Sequence, residues 1–281
     1  MSATLVTING YSGSAEDPQI SPDGQYLFFD NHSPAASAPI QLFYAHRYNF
    51  NQFNFIGPVP GLPTTGITLK GNYDTSGRFY FTRPEDIGVG TGPFRAGAVG
   101  ATQPVTGLSQ APPPPGYMNL ILDACCSTDG QFLFESQAVT MGPGGPVSSF
   151  IAVGQYVAPA IFQPTPPLEA IVAPINAVGI VYNSAPSPNG LVFAFTVNVP
   201  NASPQIWTAT RTSTSAPFSV IGQWTDTATV PGNFSESGGW STDGYFYFHR
   251  NISTILSQIY VLPTLAARGS FPPGQPYFSG G

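Results

Sequence analysis

Ile20-Ser21-Pro22-Asp23-Gly24-Gln25-Tyr26-Leu27-Phe28-Phe29 is a turn that runs straight into a strand. Pro22 presets φ for a turn position, Asp23 can bond its own backbone, and Gly24 tolerates positive φ. The aromatic and branched residues that follow favour a pleated, half-buried surface. The stretch recurs at Thr75–Phe81, Ser127–Phe134, Ser187–Phe193 and Ser241–Phe248. Its glycines stand at 24, 77, 130, 190 and 244, giving steps of 53, 53, 60 and 54 residues. A fixed period of this length marks a repeat architecture.

Five such periods fill the 281 residues, so one closed array is the simplest organisation. Gly and Pro number 31 each, which fits many turns and argues against long helices. With 42% hydrophobic residues, 13% of the chain aromatic, there is ample material for a core. Only 8% of residues are charged, and the net charge is −6. That balance leaves no electrostatic footprint for nucleic acid. No apolar run reaches the 18 residues of a membrane-spanning helix, so no membrane insertion is expected. Residues 1–8 lack the basic and apolar regions of a signal peptide. A polar, charge-poor surface nevertheless suggests an extracellular or periplasmic protein whose signal is not part of this sequence.

Each repeat reads as four strands. The first has an inner strand near Asp17–Ser21, a second at Gln25–Asp30, a third at Ile40–Ala45 and a fourth near Phe53–Ile56. An insert at Pro159–Pro174 accounts for the step of 60. Four-stranded units of this length arranged in a ring describe an all-β fold, a five-bladed β-propeller of four-stranded antiparallel blades. The expected single domain spans 1–281, with blades at about 10–60, 61–115, 116–172, 173–228 and 229–281. Residues 265–281 are Gly/Pro-rich and poorly strand-like, so the last repeat lacks a fourth strand. Ala3–Ile8 has no repeat of its own and is expected to close the ring as the outer strand of the fifth blade.

The Ser-Pro-Asp-Gly turn, with an acid seven residues before its glycine, resembles the TolB-type propeller repeat family. Ser21–Gly24 matches fully; Ser127–Gly130, Ser187–Gly190 and Ser241–Gly244 are near copies, and Asp74–Gly77 is the poorest. The resemblance implies the propeller fold and says little about function, because such propellers serve as partner platforms, enzyme gates and catalytic scaffolds.

Inner-strand starts and second-strand ends share one mouth of a propeller. Counting seven back from each glycine gives Asp17, Lys70, Asp123, Asn183 and Ser237, and one further back gives Glu16 and Glu236. Counting five or six forward gives Asp30, Arg83, Glu135, Thr196, His249 and Arg250. So many charged groups at one rim of a charge-poor chain predict a ligand site of Asp17, Asp30, Lys70, Arg83, Asp123, Glu135, Glu236, His249 and Arg250. Arg83 and Arg250 would anchor the ligand, Glu135 and Asp123 would accept hydrogen bonds, and His249 would confer pH dependence. The competing role for Asp17 and Asp123 is ring closure through backbone amides.

Three histidines and no nucleophile elbow give no Ser-His-Asp triad, and no zinc or calcium motif is present. No metal and no cofactor is therefore expected, although His32 with Asp30, and His249 across the mouth, have the residue types for a divalent ion. Cys125 and Cys126 are adjacent, which favours two reduced thiols over a strained ring. By repeat alignment Cys126 is core and Cys125 lies near the channel. Four Asn-x-Ser sequons (Asn31, Asn201, Asn233, Asn251) fit chance in this composition, and Pro112–Pro115 reads as a loop brace. The function expected is non-catalytic: a monomeric propeller binding a polar small molecule, carbohydrate or protein partner at the channel mouth. The alternative is a glycoside hydrolase-like enzyme using carboxylates from facing blades.

Overall fold

The computed structural model describes residues 2–32, 39–83, 88–95, 97–142, 145–199, 202–228, 233–253 and 256–264. The stretch 265–281 and the sequon at Asn201 lie outside them. Five sheets follow one another along the chain, each built on an antiparallel meander. The first blade runs Glu16–Ile20, Tyr26–Asp30, Leu42–Asn49 and Gln52–Pro58. The second runs Leu69–Tyr73, Arg78–Arg83, Gly88–Arg95 and Ala98–Val99, with Gln103–Pro104 added on the third strand. Met118–Cys126, Phe132–Thr140, Pro146–Ala158 and Ile161–Gln163 form the third. The fourth is Ile180–Pro186, Val192–Asn198, Gln205–Thr210 and Ser219–Gln223. The fifth is Ser235–Trp240, Tyr245–Ser253 and Leu256–Pro263, completed by Thr4–Leu5. Neighbouring inner strands touch in sequence, and Ser235–Trp240 meets Glu16–Ile20 to close a five-bladed β-propeller.

Closure uses the N-terminal segment twice. Thr4 and Leu5 pair antiparallel with Val261 and Tyr260 on the fifth blade, as expected. The chain then passes to the first blade, where Thr7–Asn9 lies parallel to Gln52–Asn54. Between the seams, Val6 is buried with Leu27, Phe29, Ala45, Ile259 and Val261.

The recurring turn explains its own composition. Ser21, Ser127 and Ser187 accept the amide five residues on, at 2.8–3.0 Å. Asp23, Asp129 and Asn189 accept the amide two residues on. In the second and fifth blades the hairpin is one residue shorter: Asp74 and Ser241 accept the amide four residues on, from Arg78 and Tyr245. Backbone pairing agrees, with Ser21 bonded to Tyr26 but Asp74 to Arg78. The two lengths shift every position counted forward from the glycine.

The insert holds a helix, Pro166–Asn176, which the turn-rich composition did not lead us to expect. Pro166 and Pro167 sit in the first turn, where a missing N–H costs nothing. Leu168, Ile171, Val172 and Ile175 follow the helical period and are buried against Ile151, Val181, Phe195 and Phe218. Asn176 fixes it to the third blade, accepting from the Ile151 amide at 2.8 Å and donating to the Ile151 carbonyl at 2.9 Å.

Candidate functional site at the channel throat

All five inner strands break register at one level: between Glu16 and Gln19, Leu69 and Asn72, Ile121 and Asp123, Tyr182 and Ala185, and Ser237 and Gly239. A bulge re-aims the side chain it carries. Asp17, Lys70 and Asn183 take φ values of 47°, 46° and 54°, a region side chains rarely visit. The seven-back residues thus form a ring around the axis.

The ring is knitted together by its own polar groups. Asp123, fully buried, accepts the Asn183 amide at 2.6 Å, the Ser184 amide at 3.1 Å and the Ser184 hydroxyl at 2.9 Å. Lys70 Nζ, also fully buried, lies 3.8 Å from Asp123 Oδ1, an ion pair without a hydrogen bond. Asn183 Nδ2 spans the throat, 3.2 Å from Asp17 Oδ1 and 3.1 Å from Glu236 Oε2. Tyr182 donates to Glu236 Oε1 at 2.8 Å. His249 Nδ1 accepts the Asp17 amide at 3.1 Å, and Thr196 Oγ1 accepts the Ser237 amide at 2.9 Å. The second-strand end of one blade therefore fixes the throat residue of the next.

Register assigns the facing slot on each second strand. Gln19, Asn72, Cys125, Ala185 and Gly239 stand opposite Phe28, Tyr80, Phe134, Ala194 and Tyr247. Two residues on, the slots hold Asp30, Thr82, Ser136, Thr196 and His249, all fully buried. Asp30, His249 and Thr196 occupy the slots expected of them. Arg83 and Glu135 do not: Thr82 and Ser136 hold those slots, and alternation along a strand sends the next residue to the opposite face. Glu135 is buried there and accepts from Gln137 at 3.0 Å. Arg250 is turned away from the throat, 3.3 Å from the Asp226 carbonyl and 4.6 Å from the Tyr260 ring centre. The structure thus brings together Asp17, Asp30, Lys70, Asp123, Glu236 and His249, and adds Glu16, Tyr182, Asn183 and Ser184. Asn183 and Glu16 fall at the seven-back and eight-back counts, so spacing carried a signal for both.

Burial controls the protonation of this group. It pushes Glu236 up to about 7, and Glu135 likewise. Burial raises Asp17, and burial with the charges of Asp17 and Glu16 raises Asp30 well above the carboxylate range. Burial also lifts Glu16, but the hydrogen bond with His32, the field of His249 and the Ser257 hydroxyl outweigh it and leave Glu16 low. The hydrogen bond to Glu16 in turn raises His32 to about 9. Folding therefore binds protons at Glu236 and Glu135, so the stability they contribute is present below about 4.5 and is lost as pH rises to about 7. In EDTA the protein is expected to melt several degrees higher at pH 5 than at pH 8, on the order of 3 kcal/mol for each carboxyl. Glu236→Gln, which mimics the neutral acid, should flatten that slope in thermal melts. A melting temperature that climbs from pH 5 to pH 8 would contradict the assignment.

At the turn end of the channel, Gln19, Asn72, Cys125, Ala185 and Gly239 surround an opening of about 30 Å³, room for a water molecule or two. Both cysteines are free and buried. Burial pushes Cys125 up to about 12 and raises Cys126 well above the usual thiol range, which makes them inert as nucleophiles.

No family model matches this chain, and no curated protein matches it by sequence. Solved structures do. The catalytic domain of the GH62 α-L-arabinofuranosidase of Coprinopsis cinerea aligns with a TM-score of 0.55 at 12% identity, over 93% of this chain and 96% of that one. The endo-arabinase of Bacteroides thetaiotaomicron aligns at 0.54 and 11% identity, over 92% and 97%. TolB of Acinetobacter baumannii aligns at 0.42 and 15% identity; the match covers 74% of this chain and 43% of TolB. The likeness is one of fold alone.

Proposed function

We propose that this chain is a non-catalytic binding propeller, acting as a monomer outside the cytoplasm, which takes a polar small molecule, glycan or protein at the mouth above the throat. The observation that carries this reading is the Asn183 side chain, whose amide nitrogen joins Asp17 to Glu236. A glycosidase needs two carboxyls flanking an open space that a sugar can enter, roughly 5–10 Å apart. Here the oxygens of Asp17 and Glu236 come within 4.8 Å and share one donor, while Asp123 spends its oxygens on Asn183 and Ser184. The feature favouring the hydrolase alternative is Glu236, held near 7 by burial and so partly protonated at neutral pH.

Two measurements separate the readings. Nitrophenyl arabinofuranosides and galactosides, arabinan and galactan are expected to remain intact on prolonged incubation. Calorimetry or a glycan array is expected to find a ligand whose affinity falls tenfold or more in Glu236→Ala, a carboxyl of the throat. Arg250→Ala, on a side chain turned to the Asp226 carbonyl, is expected to leave that affinity unchanged. Turnover of a glycoside that disappears in Glu236→Gln would overturn the proposal.

A further inference from the structure

His249 is fully buried, and its two ring nitrogens face different groups. Nδ1 accepts the backbone N–H of Asp17, so the ring proton belongs on Nε2. Nε2 has no hydrogen-bond partner. It is aimed into a cluster of acids, 3.6 Å from Glu236 Oε2 and 4.0 Å from Glu16 Oε2, each just too far for a hydrogen bond. An orphaned buried N–H facing two carboxylates is costly, and a small movement of those carboxylates would satisfy it.

Charge balance points to what would move them. Glu16, Asp17, Asp30 and Glu236 converge on this side of the throat, and Asp30 Oδ2 is itself buried without a hydrogen-bond partner. The buried lysine pairs most closely with Asp123, 3.8 Å away, and its field also reaches Asp17, but no cation stands between Asp17 and Glu236 among the described residues. Between Asp17 and Glu236 stands the Asn183 amide nitrogen, a weak partial positive charge bridging two acids. Their ligand oxygens lie within 4.8 Å of each other, so both can reach one ion at the roughly 2.4 Å of a calcium–oxygen bond. Turning the Asn183 amide over would exchange its nitrogen for a third oxygen ligand.

We propose that the throat binds one calcium ion through Asp17, Glu236 and the Asn183 side-chain oxygen, with His249 outside the ligand shell donating Nε2–H to the acids. The tautomer selects the metal. A zinc-type site needs an imidazole lone pair aimed at the ion. Here one nitrogen is occupied by the Asp17 amide and the other carries the proton, leaving only hard oxygen donors. Magnesium is the poorer fit, because it demands near-octahedral geometry and gives up its waters reluctantly.

The test uses the full chain after EDTA treatment and dialysis, melted in calcium, magnesium or zinc chloride against sodium chloride of equal ionic strength. Millimolar calcium is expected to raise the melting temperature by roughly 5 °C or more, with magnesium and zinc giving less. Calorimetry should find one ion per chain. Terbium should bind the same site, with emission sensitised through Tyr182, whose hydroxyl bonds Glu236. Asp17→Asn and Glu236→Gln should each abolish the calcium shift. Should either variant fail to fold, the wild-type titration and calcium displacement of terbium still decide. No calcium shift in the wild type, an undiminished shift in both variants, or preference for zinc would overturn the proposal.

Discussion

Deleting residues 2–9 is expected to lower the melting temperature by roughly 10 °C or more, a loss of about 3–5 kcal/mol. Two seams fail together. The fifth blade loses its outer strand, because Thr4 and Leu5 no longer cover Val261 and Tyr260. The first blade loses Thr7–Asn9 from the edge formed by Gln52–Asn54. Val6 leaves the cluster that holds Leu27, Phe29 and Ile259 across the joint, and its amide no longer reaches the Ile259 carbonyl at 2.9 Å. Burying one such side chain contributes about 1.5–3 kcal/mol, and the ladder bonds add to it. The exposed edge at Leu256–Pro263 would also favour association between chains. Deleting 2–6 alone should cost about half as much, because the parallel seam on the first blade remains. Differential scanning calorimetry with light scattering checks both; equal melting of the 2–9 deletion and the full chain would show that closure resides elsewhere.

The repeat period carried the fold, because the turn chemistry is local. Ser21, Asp23 and Gly24 do their work within a few residues, and copies of them mark every blade whatever the rest of the sequence does. The N-terminal strand was legible for the same reason: a strand-like segment without a repeat must fill a vacant edge. The helix at Pro166–Asn176 was hidden by its prolines, although Leu168, Ile171, Val172 and Ile175 display the helical period. The throat was legible backward from the glycines, where spacing held in every blade. Forward counting failed at Arg83 and Glu135 because a hairpin one residue shorter in the second and fifth blades shifts the register, so no single count serves all five blades. The role of Asn183 could not be read from spacing, because it depends on Asp17 and Glu236 approaching from other blades.

Asp123→Ala is expected to be the most damaging single substitution in the throat, costing about 3–5 kcal/mol. Three hydrogen-bond donors converge on that carboxylate: the amides of Asn183 and Ser184 and the Ser184 hydroxyl. None can turn to solvent, because Asp123 and Ser184 are fully buried and Asn183 nearly so. The Lys70 ammonium, 3.8 Å away and fully buried, would be left without its counter-charge. An uncompensated buried cation is the larger part of the cost, since breaking such a pair from one side is far worse than never having had it. The loss should therefore be partly reversible. Lys70→Met in the Asp123→Ala background removes the stranded charge while keeping the volume of the stem, and is expected to recover about half of the lost stability. Asp123→Asn retains one acceptor oxygen and should fall between the wild type and the alanine variant. Urea denaturation of the four proteins in the cycle gives the coupling between the two positions. A coupling near zero, with Asp123→Ala as damaging in the Lys70→Met background as in the wild type, would mean that the amide bonds alone account for this residue and that the Lys70 charge is satisfied elsewhere.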